Sequence, residues 1–336
     1  MKKLAQTPLS ILDLVTYAEG AQVGDAFRNS RRLVQAAESW GYRRYWVAEH
    51  HNLDGIASSA TVVLMGYLAE ATNTIRVGSG GIMLPNHAPF IVAEQVGTLE
   101  SIYPGRIDLG LGRAPGTDPL TMRALRRHST GEHFDQEVAE LQSYFAPAAE
   151  GQKVKAIPGA GLDVPIWILG SSTYSAHLAA AIGRPYAFAS HFAPGDLMES
   201  LEIYRREFRP SRSLPEPHVM VGVPAFAAET DERAEFLATS MYQRSLGILR
   251  GQRAALQPPV EDMASRWSRG EALAVAKRMA LMVVGGEARV RANLQAIIDA
   301  TQADELIIAS DAYAFDDCMR SFETIALAAG LPQAID

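Results

Sequence analysis

Apolar positions along the chain alternate between two spacings. Leu9-Ser10-Ile11-Leu12-Asp13-Leu14 is a short β-rich run, the length of a buried strand. From Asp25 to Trp40, apolar residues fall at Phe27, Leu33, Val34, Ala37 and Trp40. That spacing makes one face of a helix, and Gly41 is placed to end it. The unit then repeats. Tyr45-Trp46-Val47-Ala48 predicts a second strand and residues 58–71 a second helix. Ile75 to Leu84 predicts a third strand, opened by glycines, and Pro89 to Ile102 a third helix with proline in its first turn. Arg106-Ile107-Asp108-Leu109-Gly110-Leu111-Gly112 predicts a fourth strand. The rhythm resumes with strands at 165–169, 186–190, 218–226 and 304–309. Helices are predicted at 172–182, 195–208, 286–300 and 316–329.

Two stretches break this rhythm. Residues 113–164 hold one helical pattern, about 132–145, and the run Pro158-Gly159-Ala160-Gly161. Residues 229–284 hold helical patterns around a polar middle, Arg250 to Arg269. Eight strands alternating with helices predict an α/β fold, a (β/α)8 TIM barrel with insertions after strands 4 and 7. An open six-stranded sheet has too few strands. Both insertions follow strands, so both overhang the C-terminal face, where barrel active sites lie. No linker separates a second unit, so residues 1–336 are expected to form a single domain.

Composition narrows the function classes. The 336 residues are 48% hydrophobic and 21% charged, an ordinary globular balance. The net charge is −7 with both signs interspersed, and the basic clusters are as short as Arg126-Arg127-His128. There is no basic stripe for nucleic acid. One cysteine, Cys318, excludes an internal disulfide, cysteine zinc sites and redox pairs. Its expected place is a small buried or half-buried position on a helix. No run of 18 apolar residues predicts a membrane span, and no apolar stretch follows Lys2-Lys3 to make a signal peptide. A cytoplasmic protein is expected.

Chemistry concentrates at the strand ends. The second strand runs into Glu49-His50-His51-Asn52. A histidine pair suggests a metal, but nothing in the sequence fixes a third ligand, so no metal is expected. If His50 points inward, alternation turns Glu49 and His51 elsewhere, where they can orient it. The third strand carries Gly78-Ser79-Gly80-Gly81. Glycines there fit close approach of a flat ligand, an unusual peptide geometry, or a bulge. The fourth strand leads into Arg113-Ala114-Pro115-Gly116. Its G-x-G-x-x-x-G spacing, with proline where a helix would open, is not a dinucleotide fingerprint. Arg113 instead suits a phosphate or a rim ion pair. After the fifth strand, Gly170-Ser171-Ser172-Thr173-Tyr174 precedes a helix, suiting either an anion cradle or an ordinary cap.

Three blocks, in order, carry a family resemblance: Trp46-Val47-Ala48-Glu49-His50-His51, Val77 to Pro85, and Tyr103 to Arg113. From Leu9 to about Ala329 the chain resembles the bacterial luciferase-like monooxygenases, and within them the single-chain bacterial proteins rather than light-emitting luciferase. The resemblance implies a TIM barrel, usually dimeric, that binds reduced FMN as a co-substrate supplied by a separate flavin reductase. It implies oxygenation of a small organic substrate. His50 matches the catalytic histidine of luciferase, and Gly80–Gly81 a non-prolyl cis peptide against the flavin ring. Arg113 matches a phosphate-binding arginine, and Ser171 and Tyr174 match phosphate contacts. With them, Ser79 and Gly170 complete the expected cofactor set, and 229–284 matches a mobile lid. Three positions depart from luciferase. Gly112 replaces a reactive cysteine, Gly170 a glutamate, and Tyr174 a smaller threonine. Two other readings remain on the same fold: a deazaflavin-dependent oxidoreductase, and a non-catalytic flavin-binding protein.

Overall fold

The computed structural model describes residues 2–125, 131–191, 193–252 and 254–332. The basic cluster Arg126-Arg127-His128 lies outside them. The strands are β1 (Leu9–Asp13), β2 (Arg44–Val47), β3 (Arg76–Met83), β4 (Ile107–Gly112), β5 (Ile166–Gly170), β6 (Tyr186–Phe188), β7 (Val219–Ala227), β8 (Val283–Gly285) and β9 (Glu305–Ala309). The helices are α1 (Val23–Ser39), α2 (Thr61–Ala69), α3 (Pro89–Ile102), α4 (Pro119–Ala124), α5 (Phe134–Phe145), α6 (Thr173–Ala181), α7 (Leu197–Glu207), α8 (Asp231–Leu249), α9 (Arg269–Arg278), α10 (Glu287–Thr301) and α11 (Phe315–Ala329).

All strand pairings are parallel, and β1 through β6, then β7 and β9, close on β1. This is the expected eight-stranded barrel. β8 stands outside it, pairing only with the far end of β7 at Ala225–Ala227. Three residues are too short to show a period in sequence, so that strand was not foreseen. α1 starts two residues before the expected Asp25. It ends at Ser39, and Gly41 follows with φ +81°. The predicted glycine stop is therefore real.

Alternation along the strands layers the lumen. The lowest layer is ionic and buried. Arg44 Nη1 lies 2.7 Å from Asp108 and its Nε 3.0 Å from Glu305, while Arg76 Nη2 reaches Asp108 at 2.7 Å. The Ser10 hydroxyl donates to Glu305 and Trp46 Nε1 to Asp108. Above it lies an apolar layer of Leu12, Trp46, Trp167, Ala187, Met220 and Ile307, in which the two tryptophans meet edge to face at 5.3 Å. The barrel is thus plugged from below.

Both departures from the βα rhythm lie at loops. In the first, the glycine-rich run serves packing. A Cβ on Gly97 of α3 would come within 2.4 Å of Gly159 Cα. In the second, the described residues of 250–268 lack helix or strand and are tied to the mouth. Leu256 bridges Ala18, and Ala255 sits against Gly55 in the loop after β2. Among the described residues, no helix is long and apolar enough to cross a membrane.

Candidate active site at the barrel mouth

Trp46 and Ala48 belong to the inner layer, so the two-residue period carries His50 to the lumen side of the strand end. Its backbone is fixed by His50 N–H donating to Ser58 O at 3.1 Å. The neighbouring Glu49 is 1% exposed and turns the other way. Its carboxylate accepts from His51 Nε2 at 2.8 Å, His87 Nε2 at 2.9 Å, Asn86 Nδ2 at 3.3 Å and the Met83 N–H at 3.2 Å. Burial alone would raise its pKa, but these donors hold it down at about 2. An anionic Glu49 can only accept, so both imidazoles donate to it.

The third histidine was missing from the sequence argument because His87 stands 36 residues from His51. The fold brings Glu49, His51 and His87 together, with ligand atoms within 4.8 Å of one another. As arranged, the group is a hydrogen-bonded brace tying the end of β2 to the turn after β3. His51 is thereby spent on Glu49.

The Gly80–Gly81 peptide is cis, and the β3–β4 register shifts between Ser79 and Ile82. Two alternatives for these glycines, unusual peptide geometry and a bulge, therefore hold together. A Cβ on Gly80 would come within 2.5 Å of Leu12 Cδ1, and one on Gly81 within 2.7 Å of Gly110 O. Only glycine lets β3 and β4 approach this closely. Ser79 needs a correction. Its side chain is fully buried, donates to Gly110 O at 2.8 Å and accepts from Gly110 N at 2.9 Å. The hydroxyl is consumed in the barrel wall, so only its backbone is left for a cofactor.

Arg113 leaves the end of β4 exposed, with its guanidinium 4.2 Å from the Tyr174 ring centroid. It has no ion pair among the described residues, which removes the rim salt-bridge alternative. Tyr174 lies in the first turn of α6, whose N-cap Ser172 makes no side-chain cap bond. The backbone donors of that turn stay free of a side-chain acceptor, and Ser171 precedes them half-buried. Gly170 is required here, since its Cβ would lie 2.0 Å from Ser175 Oγ. Gly112, in the place of luciferase's cysteine, is buried with Met83 Sδ 2.9 Å from its virtual Cβ.

Sequence reasoning missed two residues of the mouth. His191 follows β6, and Gly222 of β7 leaves room for its ring, a Cβ there falling 3.3 Å from Nδ1. Burial, with the charges of His50 and Arg278, lowers its pKa to about 4. Arg278 is the last residue of α9, inside the segment expected to act as a lid. The signal for His191 was its position just past the end of β6. Arg278 carried none, because its approach to His191 depends on how α9 folds back. Cys318 is half-buried on α11 as expected, its thiol donating to Ser310 O at 3.1 Å.

Residues 8–304 match the family model of luciferase-like monooxygenases. A luciferase-like monooxygenase of Escherichia coli K12 is 48% identical over 316 residues, 94% of each chain. The N-acetyl-S-alkylcysteine monooxygenase of Bacillus subtilis is 41% identical over 236 residues, 68% of this chain and 70% of that protein. Among solved structures, apo-MsnO8 superposes with a TM-score of 0.87 at 31% identity, covering 98% of this chain and all of the other. The chain is a member of the luciferase-like monooxygenase family.

Proposed function

We propose that the protein is the oxygenating component of a two-component FMN-dependent monooxygenase. The carrying observation is the cationic cradle at one side of the mouth: Arg113 without a carboxylate, stacked on Tyr174, beside the open start of α6. The cradle suits a phosphate. FMN fits the remaining shape, since the cis Gly80–Gly81 segment offers side-chain-free backbone to a flat ring. Arg113, Tyr174, Ser171 and the backbone at Gly170 would hold the phosphate, and Gly80–Gly81 the ring. Bound reduced FMN supplies the two electrons that activate O2. The chain's own residues do the rest. His50 holds or moves a proton at an imidazole nitrogen beside the reacting atoms. Glu49 keeps the strand end rigid through His51, His87 and the Met83 N–H. Residues 250–268 cover the mouth and exclude water.

The substrate is a small organic molecule. The name of the B. subtilis relative adds thioethers to the classes worth testing. Reduced flavin would come from a separate reductase. A homodimer is part of the same reading, supported by Val63 on α2 and Ile102 on α3, 72% and 58% exposed. Light scattering gives the oligomeric state. The deciding experiment is oxygen consumption with reduced FMN across aldehydes, ketones, alkanesulfonates and thioethers, with FMN and deazaflavin binding measured alongside. Substrate-dependent oxygen uptake with FMN supports the reading. Deazaflavin binding without FMN binding refutes it.

A further inference from the structure

The histidine pair after β2 lacked a third ligand in sequence, and the fold brings one to it. His51 lies just past the end of β2, and His87 follows the turn at Leu84–Asn86. Both rings bring Nε2 to the same carboxylate oxygen, Glu49 Oε1, at 2.8 and 2.9 Å. The three ligand atoms all lie within 4.8 Å of one another. Neighbouring ligands of a cation bound at about 2.1 Å stand about 3.0 Å apart in octahedral and about 3.4 Å apart in tetrahedral geometry. The observed separations are close to the octahedral edge, and about half an ångström of side-chain movement reaches the tetrahedral one. Two imidazoles with one carboxylate are a ligand set for Zn2+ and its neighbours in the first transition row, whereas Mg2+ and Ca2+ prefer oxygen alone. Glu49 is buried and anionic, so a cation there meets a charge little screened by water. The side chains of His51 and His87 are 15% and 32% exposed, which leaves an entry path and room for water to complete the shell. Outer contacts that orient the ligands are already made. The Met83 N–H donates to Glu49 Oε2 at 3.2 Å, and Asn86 Nδ2, held by Pro115 O at 2.8 Å, approaches Oε1 at 3.3 Å.

We propose that Glu49, His51 and His87 bind a divalent ion of the first transition row. The ion takes the place of the two Nε2–H···Oε1 hydrogen bonds. Each neutral imidazole then carries its proton on Nδ1 and gives the Nε2 lone pair to the metal. The bound ion clamps the end of β2 to the turn after β3. His50 lies between Glu49 and His51 in the chain, so the clamp fixes the backbone that carries it. The role is positional, and it is independent of which flavin the mouth takes.

The test uses the whole protein stripped with EDTA, with Zn2+ as the probe, in calorimetry against a competing chelator. One Zn2+ per chain is expected to bind with a Kd of about 1 µM or tighter. His51→Gln and His87→Gln are each expected to weaken binding by at least about a hundredfold, since loss of an outer contact alone costs about tenfold to a hundredfold. The exposed His177–Glu207 pair, 2.6 Å apart, is the rival surface site, and His177→Gln is expected to leave the affinity unchanged. Saturating Zn2+ is expected to raise the melting temperature of the wild type and not that of His87→Gln. Histidine 15N–1H spectra of the wild type give a reading that requires no variant. Zn2+ is expected to convert two imidazoles from the Nε2–H to the Nδ1–H tautomer. Absence of Zn2+ binding to the wild type at about 100 µM overturns the proposal. So does an affinity unchanged in His87→Gln, a loss of binding in His177→Gln, or a wild type whose histidine tautomers do not respond to the ion.

Discussion

The state of His191 makes a quantitative prediction. An unfolded histidine titrates near pH 6.5. In the fold, burial and the charges of His50 and Arg278 lower the pKa to about 4. Between those values the unfolded chain binds a proton that the native chain refuses. Stability is therefore full above pH 6.5 and falls as pH drops towards 4. Worked from the two pKa values, the loss between about pH 7.5 and about pH 5 is about 2 kcal/mol. His191→Gln removes the titrating group and keeps a hydrogen-bonding side chain. The stability difference between wild type and variant is expected to move by about 2 kcal/mol in the variant's favour over that interval. Urea unfolding followed by pulse proteolysis at both pH values measures it. Glu49 does not interfere. Its pKa is lowered from 4.5 to about 2, so its contribution is present above 4.5 and is lost only in stronger acid. A wild type–variant difference that does not change with pH would show that His191 titrates normally and would refute this account.

Arg113→Ala is expected to weaken FMN binding by about 1.5–3 kcal/mol in a fluorescence titration while the melting temperature holds. A fall in stability with unchanged affinity would make the arginine structural. His50→Ala is expected to slow substrate-dependent oxygen uptake by about a hundredfold to ten-thousandfold, and His51→Ala by less, because His51 serves Glu49. A dead His51→Ala beside a fully active His50→Ala refutes that division. Asp108→Ala is expected to cost about 3–5 kcal/mol of stability by stranding Arg44 and Arg76, with little effect on FMN affinity, since it acts at the barrel floor. Residues 250–268 are expected to be cleaved more slowly by protease when FMN is bound. Equal rates would make the segment a fixed insertion.

The barrel was legible because each strand is buried on both faces and each outer helix on one. Those two constraints write continuous apolar runs and a 3.6-residue stripe into the sequence. β8 was not, since three residues against the end of one strand leave no period. The ionic floor was hidden for a related reason. Arg44, Asp108 and Glu305 sit at the starts of strands, where charge normally marks solvent. Only closure of the barrel turns all three inward.

The site divides along the same line. What was readable is what one strand end can encode alone: His50 by its parity with Trp46 and Ala48, Arg113 by its place after β4, the glycines by their cost inside a strand. What was not readable depends on two distant segments meeting. Ser79 looked like a ligand contact until the β3–β4 register placed its hydroxyl between Gly110 N–H and Gly110 O. His87 joined the Glu49 brace only through the turn at Leu84–Asn86. Arg278 is the extreme case. It ends α9, far along the chain from the last inner strand before it, so no local pattern could mark it. Residues that directly follow a barrel strand, such as His50 and Arg113, inherit their place from that strand, whereas a residue on the inserted helix inherits its place from contacts made far along the chain.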